Sequence, residues 1–296
     1  MINLKIGIPR SLYYYYFKDL WKSFFESLGF EIVISPETTK EIMDLGLKYS
    51  NDEMCISMKN YIGHIAYLKD KCDHVLIPRI DNFGLDNQTC TNFLATYDII
   101  NNLFDIKILN YNIDLANKET ELKGLIKMMK CFNISKSKIK YAYNNALKAS
   151  EKIKNKLIEK NIKVLNSSGK KVLLLGHSYN IHDNMISGSL ITILKNLNIK
   201  IVYSDLFNND NISQNYCEQL YWKYSRESIS SINKCRQKID GIIFLTSFPC
   251  GLDSLVNEIV YRKIDLPYIN IVVDDMSSSV GLETRIESFI DIISVK

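Results

Sequence analysis

Eight short apolar runs punctuate the chain: LKIGIP (4–9), FEIVISP (30–36), HVLIPRI (74–80), IKILNY (106–111), KKVLLLG (170–176), IKIVYSD (199–205), GIIFLTS (241–247) and YINIVVDD (268–275). Between them lie segments with helical apolar spacing, among them residues 12–28, 39–49, 59–71 and 185–197. Runs this short, alternating with helices, fold as a parallel sheet, because a strand that returns in the same direction needs a crossover and the usual crossover is a helix. An α/β chain with wound parallel sheets is therefore expected.

The grammar occurs twice. CDHVLIPRIDNFG stands to IDGIIFLTSFPCG as one strand-and-loop unit to another, by pattern and length rather than identity. A long polar helix over about residues 136–160 and the stretch NSSGKK (166–171) separate the halves. The expected domains are 1–165, an α/β domain ending in the long helix, and 166–296, a second α/β domain; 296 residues suffice for two. In open parallel sheets ligands bind beyond the carboxyl ends of the strands. If the halves face each other, the loops after their strands line one cleft, and these loops carry Cys90 and Cys250.

Composition removes several function classes. A formal charge of +4 with dispersed lysines predicts no nucleic-acid surface. No apolar stretch approaches the ~18 residues of a membrane span, and MINLKIGIPR is broken by Pro9 rather than built as a signal peptide. A cytoplasmic location is the expectation. Seven cysteines, an odd number, argue against a disulfide framework and for reduced thiols, some of them metal ligands. Neither strand-to-helix turn reads as a glycine-rich phosphate loop, so ATP or NAD held in the usual cradle is not expected.

Cys55 (NDEMCISM), Cys90 (NQTCTNF) and Cys250 (SFPCGLD) fall on loops at the strand-end side. Cys131 and Cys217 lie in helix-like surroundings, and Cys72 and Cys235 in polar turns before strands. Three loop thiols from separate parts of the chain can converge on one metal centre, or be the small buried residues that unreactive cysteines commonly are. The absence of any C-x-x-C pair excludes zinc-ribbon and ferredoxin-type runs, so any metal site here is assembled by the fold. A nucleophilic pairing with His64, His177 or His182, as in a thiol hydrolase, stays open.

Other polar residues have two readings each. Arg10 and Arg79 follow strands and suit phosphate or carboxylate, or an ion pair with a neighbouring acid. His64 lies in a helix, where a structural role is commoner, whereas His177 and His182 flank SYNI in a strand-end loop. Tyr13 to Tyr16 point around a helix, some to the core. Asp274 and Asp275 precede SSSVGLETRIESF, which reads as a serine-capped helix start.

Taken together, several segments resemble a known family. The opening IGIPRSLYYYYFKDLWKSFFESLGFEIVISPETTKEIMDLGLKYSNDEMCISMKNYIGHI, VLIPRI followed by Cys90, YNIHDNMIS, SFPCGLDS and the closing D-x-x-x-x-x-G-L-x-T-R-x-E-S-F are similar to the activase-related branch of the 2-hydroxyacyl-CoA dehydratase superfamily. The resemblance implies two Rossmann-like (flavodoxin-like) domains with a cluster cleft between them. It also implies a [4Fe–4S] cluster on three cysteines, two from the first half and one from the second, here Cys55, Cys90 and Cys250. One iron is then left open. An ATP-dependent activator protein would be the electron donor, and an acyl-CoA or other small molecule the substrate. Low-potential electron transfer or radical reduction and dehydration would be the activity. The family also offers a double-cubane [8Fe–9S] reductase and a non-catalytic accessory subunit as alternatives, and homo- or heterodimers as assemblies. A cysteine at a helix N-terminus, as Cys250 would be, favours the thiolate. Two departures stand out: Thr91 and Asn92 replace a proline and lysine after the second cysteine, and DDMSSSVG replaces a Glu-His-Thr-Gly run.

Overall fold

The computed structural model describes residues 4–207, 216, 220–275 and 281–295. Cys217 and the serines of residues 277–279 lie outside them. The chain divides into two compact units: Met1–Asp52, Met58–Ile153 and Tyr221–Lys223 in one, and Glu53–Ser57, Lys154–Leu220 and Tyr224–Lys296 in the other.

In the first unit β1 (Lys5–Ile8), α1 (Tyr14–Leu28), β2 (Glu31–Ile34), α2 (Lys40–Tyr49), α3 (Ile56–Leu68) and β3 (His74–Leu76) follow in order. Then come β4 (Arg79–Asn82), α4 (Thr91–Leu103), β5 (Ile108–Leu109), β6 (Asn112–Asp114), α5 (Glu121–Met128) and the long α6 (Lys136–Leu165), within which the division between the units falls. The sheet is parallel, in the order β2-β1-β3-β5. Helix α1 buries Leu20, Trp21, Phe24, Phe25 and Leu28, one stripe at helical spacing, and ends at Gly29, whose φ of 91° suits a residue without Cβ. Helices α2 and α3 meet at glycines: a Cβ on Gly46 would lie 2.1 Å from the Lys59 carbonyl oxygen, and one on Gly63 2.0 Å from that of Ile42.

HVLIPRI is not one strand. Pro78 has no N–H to give to a sheet; β3 stops at Leu76 and Arg79 opens β4, which pairs with β6 in a two-stranded ribbon, while the Ile77 and Arg79 N–H groups on either side of the proline donate to the Leu109 and Tyr111 carbonyls. The expected strand over 106–111 is likewise reduced to Ile108–Leu109.

The second unit holds β7 (Lys171–Leu175), α7 (Ser178–Ile181), α8 (Asn184–Asn196), β8 (Lys200–Tyr203), α9 (Lys223–Cys235), β9 (Gly241–Ser247), α10 (Gly251–Tyr261), β10 (Tyr268–Val273) and α11 (Leu282–Ser294). Its sheet is also parallel, ordered β10-β9-β7-β8. Strand β9 is buried at all seven positions, which explains why it reads as an unbroken apolar run rather than an alternating one. The core joins Val172 and Leu174 to Ile243, Leu245, Leu190 and Phe289, and it includes Ile56. Two expectations change here. Cys235 is the buried last residue of α9 rather than part of a polar turn. The N-cap of α11 is Gly281. Among the described residues no helix is long and apolar enough to cross a membrane.

Candidate functional site

Cys55, Cys90 and Cys250 share one local setting. Each is half-buried and stands immediately before a helix: Cys55 before α3, Cys90 as the N-cap of α4, and Cys250 as the N-cap of α10. Unpaired backbone N–H groups make a helix N-terminus electropositive, which favours negative charge on a sulfur held there. The sulfur of Cys250 accepts a hydrogen bond from the Asp253 N–H at 3.4 Å, so the cysteine caps α10 itself.

The loops holding these residues are fixed by backbone bonds. In the first unit the loop before Cys90 is tied on both sides. Gln88 N–H donates to the Tyr221 carbonyl (2.8 Å), Lys223 N–H donates to that of Gln88 (3.0 Å), and the Thr89 hydroxyl donates to the Ile80 carbonyl (2.6 Å). In the second unit Cys250 N–H closes a turn onto the Ser247 carbonyl at 2.8 Å, and the Phe248 carbonyl in that turn accepts from Ile56 N–H at 3.1 Å. The residues next to Cys55 and those next to Cys250 are thus hydrogen-bonded to each other. The expectation that Cys55 is held with the first half therefore changes: residues Glu53–Ser57 belong to the second unit.

Around this turn the second unit concentrates buried polar groups. The Ser57 hydroxyl lies 2.7 Å from Asn180 Oδ1 and 2.8 Å from the Ser247 hydroxyl, which donates to the same Asn180 oxygen at 2.6 Å. His177 Nε2 is 2.8 Å from Asp253 Oδ1, both side chains being buried, and the His177 ring stacks on Tyr179. A cavity of about 10 Å³ beside this pair, also lined by Ser225, Ser228 and Asn257, has room for one water and not for an organic substrate. His182 Nε2 meets Asp205 Oδ2 at 2.9 Å, and Ser178 donates to the same oxygen at 2.7 Å. Burial pushes the Asp205 carboxyl up, but the His182 charge and these hydrogen bonds outweigh it, and the net shift is downward.

Neither arginine is a bare anion receptor. Arg10 pairs with Glu37 at 2.8 Å and Arg79 with Asp98 at 2.6 Å, and each guanidinium lies over a tyrosine ring, Tyr14 and Tyr97 respectively. His64 is fully buried between Ser35 (2.8 Å) and Thr38 (3.0 Å), a structural histidine. Tyr13 is core, its hydroxyl bonded to Thr96 at 2.8 Å. Of the remaining cysteines, burial pushes the Cys235 thiol up to about 12 and also raises Cys72, whereas Cys131 is exposed. Among the described residues no group of three or more His, Cys, Asp or Glu side chains is placed to hold a metal ion. Sequence reasoning marked His177 but missed its partner Asp253 and the Ser57, Asn180 and Ser247 group. Small polar residues inside apolar runs, such as Thr246 and Ser247 ending GIIFLTS, are the only signal that pointed to them.

The family model described as CoA enzyme activase uncharacterised domain (DUF2229) matches residues 5–207. The chain belongs to this family. The match takes in Cys55 and Cys90 and stops short of Cys250. No curated protein matches the sequence. Solved structures similar to the chain include a mutant variant of Zn(II)-bound AdcAII from Streptococcus pneumoniae, at 11% identity and a TM-score of 0.30 over 99% of this chain and 98% of that one. Another is ZnuA, at 8% identity with a TM-score of 0.30 and coverage of 99% and 98%. A TM-score of this size does not establish a shared fold.

Proposed function

We propose that this member of the activase-related family is an iron–sulfur protein in which Cys55, Cys90 and Cys250 hold a [4Fe–4S] cluster. An ATP-dependent activator protein supplies the electrons, and the activity is low-potential electron transfer or radical reduction or dehydration of an acyl-CoA-type substrate. The observation that carries this reading is the common setting of the three thiols, each half-buried at the amino end of a helix. The donor set suits the group: thiolates are soft ligands that select iron–sulfur clusters. A single metal ion needs its donors to converge within about 2.3 Å of one point, whereas a cluster takes each thiolate on a different iron, so the lack of a single-ion site among the described residues is compatible with it.

When bound, such a cluster supplies one-electron chemistry, and three thiolates leave one iron for an outside ligand. The chain's own groups do the rest. The Asp253 N–H donates to the Cys250 sulfur, and a hydrogen bond to a ligand sulfur tunes the potential of what it binds. His177 braces the Asp253 carboxylate and so the first turn of α10. In this reading ATP hydrolysis belongs to the partner, in keeping with strand-to-helix turns that do not read as glycine-rich phosphate loops. Anaerobic purification followed by iron and sulfide quantitation tests the reading. About four irons per chain are expected in the wild type, with a broad visible absorption lost in Cys250→Ala. Stoichiometric zinc, or no metal after anaerobic reconstitution, would sink it.

A further inference from the structure

The segment that carries Cys55 is seated in the second unit by three features. Ile56 donates its N–H to Phe248, its side chain is 2% exposed within the core of that unit, and Ser57 enters the polar group with Asn180 and Ser247. These three polar residues are 1%, 0% and 2% exposed. Both hydroxyls lie within hydrogen-bond distance of the one Asn180 oxygen and of each other, so the two hydroxyl hydrogens are shared among three contacts, and removing Ser57 takes away its contacts with both other members. Apolar residues would fill the same space without the desolvation cost. What the polar group adds is register, because the Ser57 contacts with Asn180 and Ser247 form in one alignment only. Its two serines stand close in sequence to the thiols: Ser57 two residues after Cys55, and Ser247 three before Cys250.

We propose that Ser57, Asn180 and Ser247 form a positioning latch. It sets Cys55 in fixed register with the Cys250 turn, so that the second unit presents two thiols as a preorganised pair before any metal arrives. The use of the latch rests on the proposed reading of these cysteines as ligands. Its existence does not, and the experiment separates the two.

In the reduced, metal-free, full-length protein, iodoacetamide alkylation of each cysteine is followed by mass spectrometry. Ser57→Ala removes one of the two hydroxyl hydrogens of the group while Ser247 still donates to Asn180, a net loss of one buried hydrogen bond, worth about a factor of five in a local opening equilibrium. Alkylation of Cys55 is therefore expected to accelerate roughly fivefold, with Cys131 and the far-UV circular dichroism unchanged. Ser57→Thr, which keeps the hydroxyl, is expected to return the rate toward that of the wild type. Equal Cys55 rates in wild type and folded Ser57→Ala overturn the latch. Should Ser57→Ala not fold, Ser247→Ala removes the contact from the strand side and is read in the same way. After anaerobic reconstitution, Ser57→Ala is expected to lose iron to a chelator roughly tenfold faster than wild type, by the usual effect of outer-shell changes. Unchanged retention overturns the positioning role. A wild type that takes up no iron removes the proposed function and leaves the alkylation rates to decide the latch.

Discussion

His64 makes the stability of the protein acid-sensitive in a way that can be calculated. Its ring is fully buried between Ser35 and Thr38, and burial, with the Arg10 charge nearby, lowers its pKa from 6.5 to about 3. A base with a depressed folded-state pKa contributes stability that is fully present above the unfolded value of 6.5 and is lost as pH falls from there toward 3. Below pH 6 the loss runs at about 1.4 kcal/mol per pH unit. Between pH 7 and pH 5 it amounts to about 2 kcal/mol, or a drop in melting temperature of roughly 4–8 °C for a unit of this size. Urea unfolding of the intact chain at the two pH values measures this. His64→Asn, although less stable at neutral pH, is expected to show a pH dependence about 2 kcal/mol shallower, which separates His64 from the other acid-sensitive groups. A His64 resonance that titrates near 6.5 in the folded protein, or parallel pH profiles for wild type and variant, would refute the reasoning.

Glu121 has the opposite sign. Burial raises its carboxyl despite hydrogen bonds from Tyr143 and Tyr111, so its contribution is fully present below the ordinary carboxylate value of 4.5 and is lost as pH rises through the raised one. Glu121→Gln is expected to flatten stability curves measured upward from pH 4. Gly63→Ala drives a methyl into the Ile42 carbonyl, a backbone atom that cannot rotate away, and is expected to cost about 2 kcal/mol or more in urea unfolding. At pH 8 iodoacetamide is expected to modify exposed Cys131 promptly and to leave Cys235, with its thiol near 12, intact until the chain unfolds. Equal labelling of the two would contradict the burial of α9.

The strands and their parallel pairing were legible because each run of buried residues is written contiguously. LLL in β7 and GIIFLTS in β9 can be little else, and Gly29 marks the end of α1. What stayed hidden depends on groups distant in sequence. Proline 78 stands within an apolar run that reads as one strand, and only the partner strands show that the chain changes sheets there. The His177–Asp253 pair spans 76 residues and the Ser57–Ser247 contact 190, and neither residue type announces its partner. The three cysteines were picked out by lying on loops at the strand-end side, a rule that needs no contacts. The helix after Cys55 was expected from about residue 59 and starts at Ile56, because DEMCISM carries no capping signal and the tie that seats its first residue comes from Phe248.

That tie bears on how a thiol site arises in this fold. In a parallel α/β sheet every strand delivers the chain to the amino end of a helix, so loop residues at the carboxyl edge acquire an electropositive setting from topology alone. Cys250 obtains it in this way, one turn after β9, and Cys90 does so after the β4 strand and its loop. Cys55 does not: it follows α2, a helix, and stands beside the end of β9 only because Ile56 bonds to Phe248 and packs in the second unit's core. Chain order would divide the thiols as two from the first half and one from the second. The hydrogen bonds group the Cys55 segment with the Cys250 turn in the second unit instead, while Cys90 belongs to the first. A change that weakens the Ile56 seat, such as Ile56→Ala, should therefore disturb Cys250 reactivity more than that of Cys90, although Cys90 is much the nearer of the two to Cys55 in the sequence.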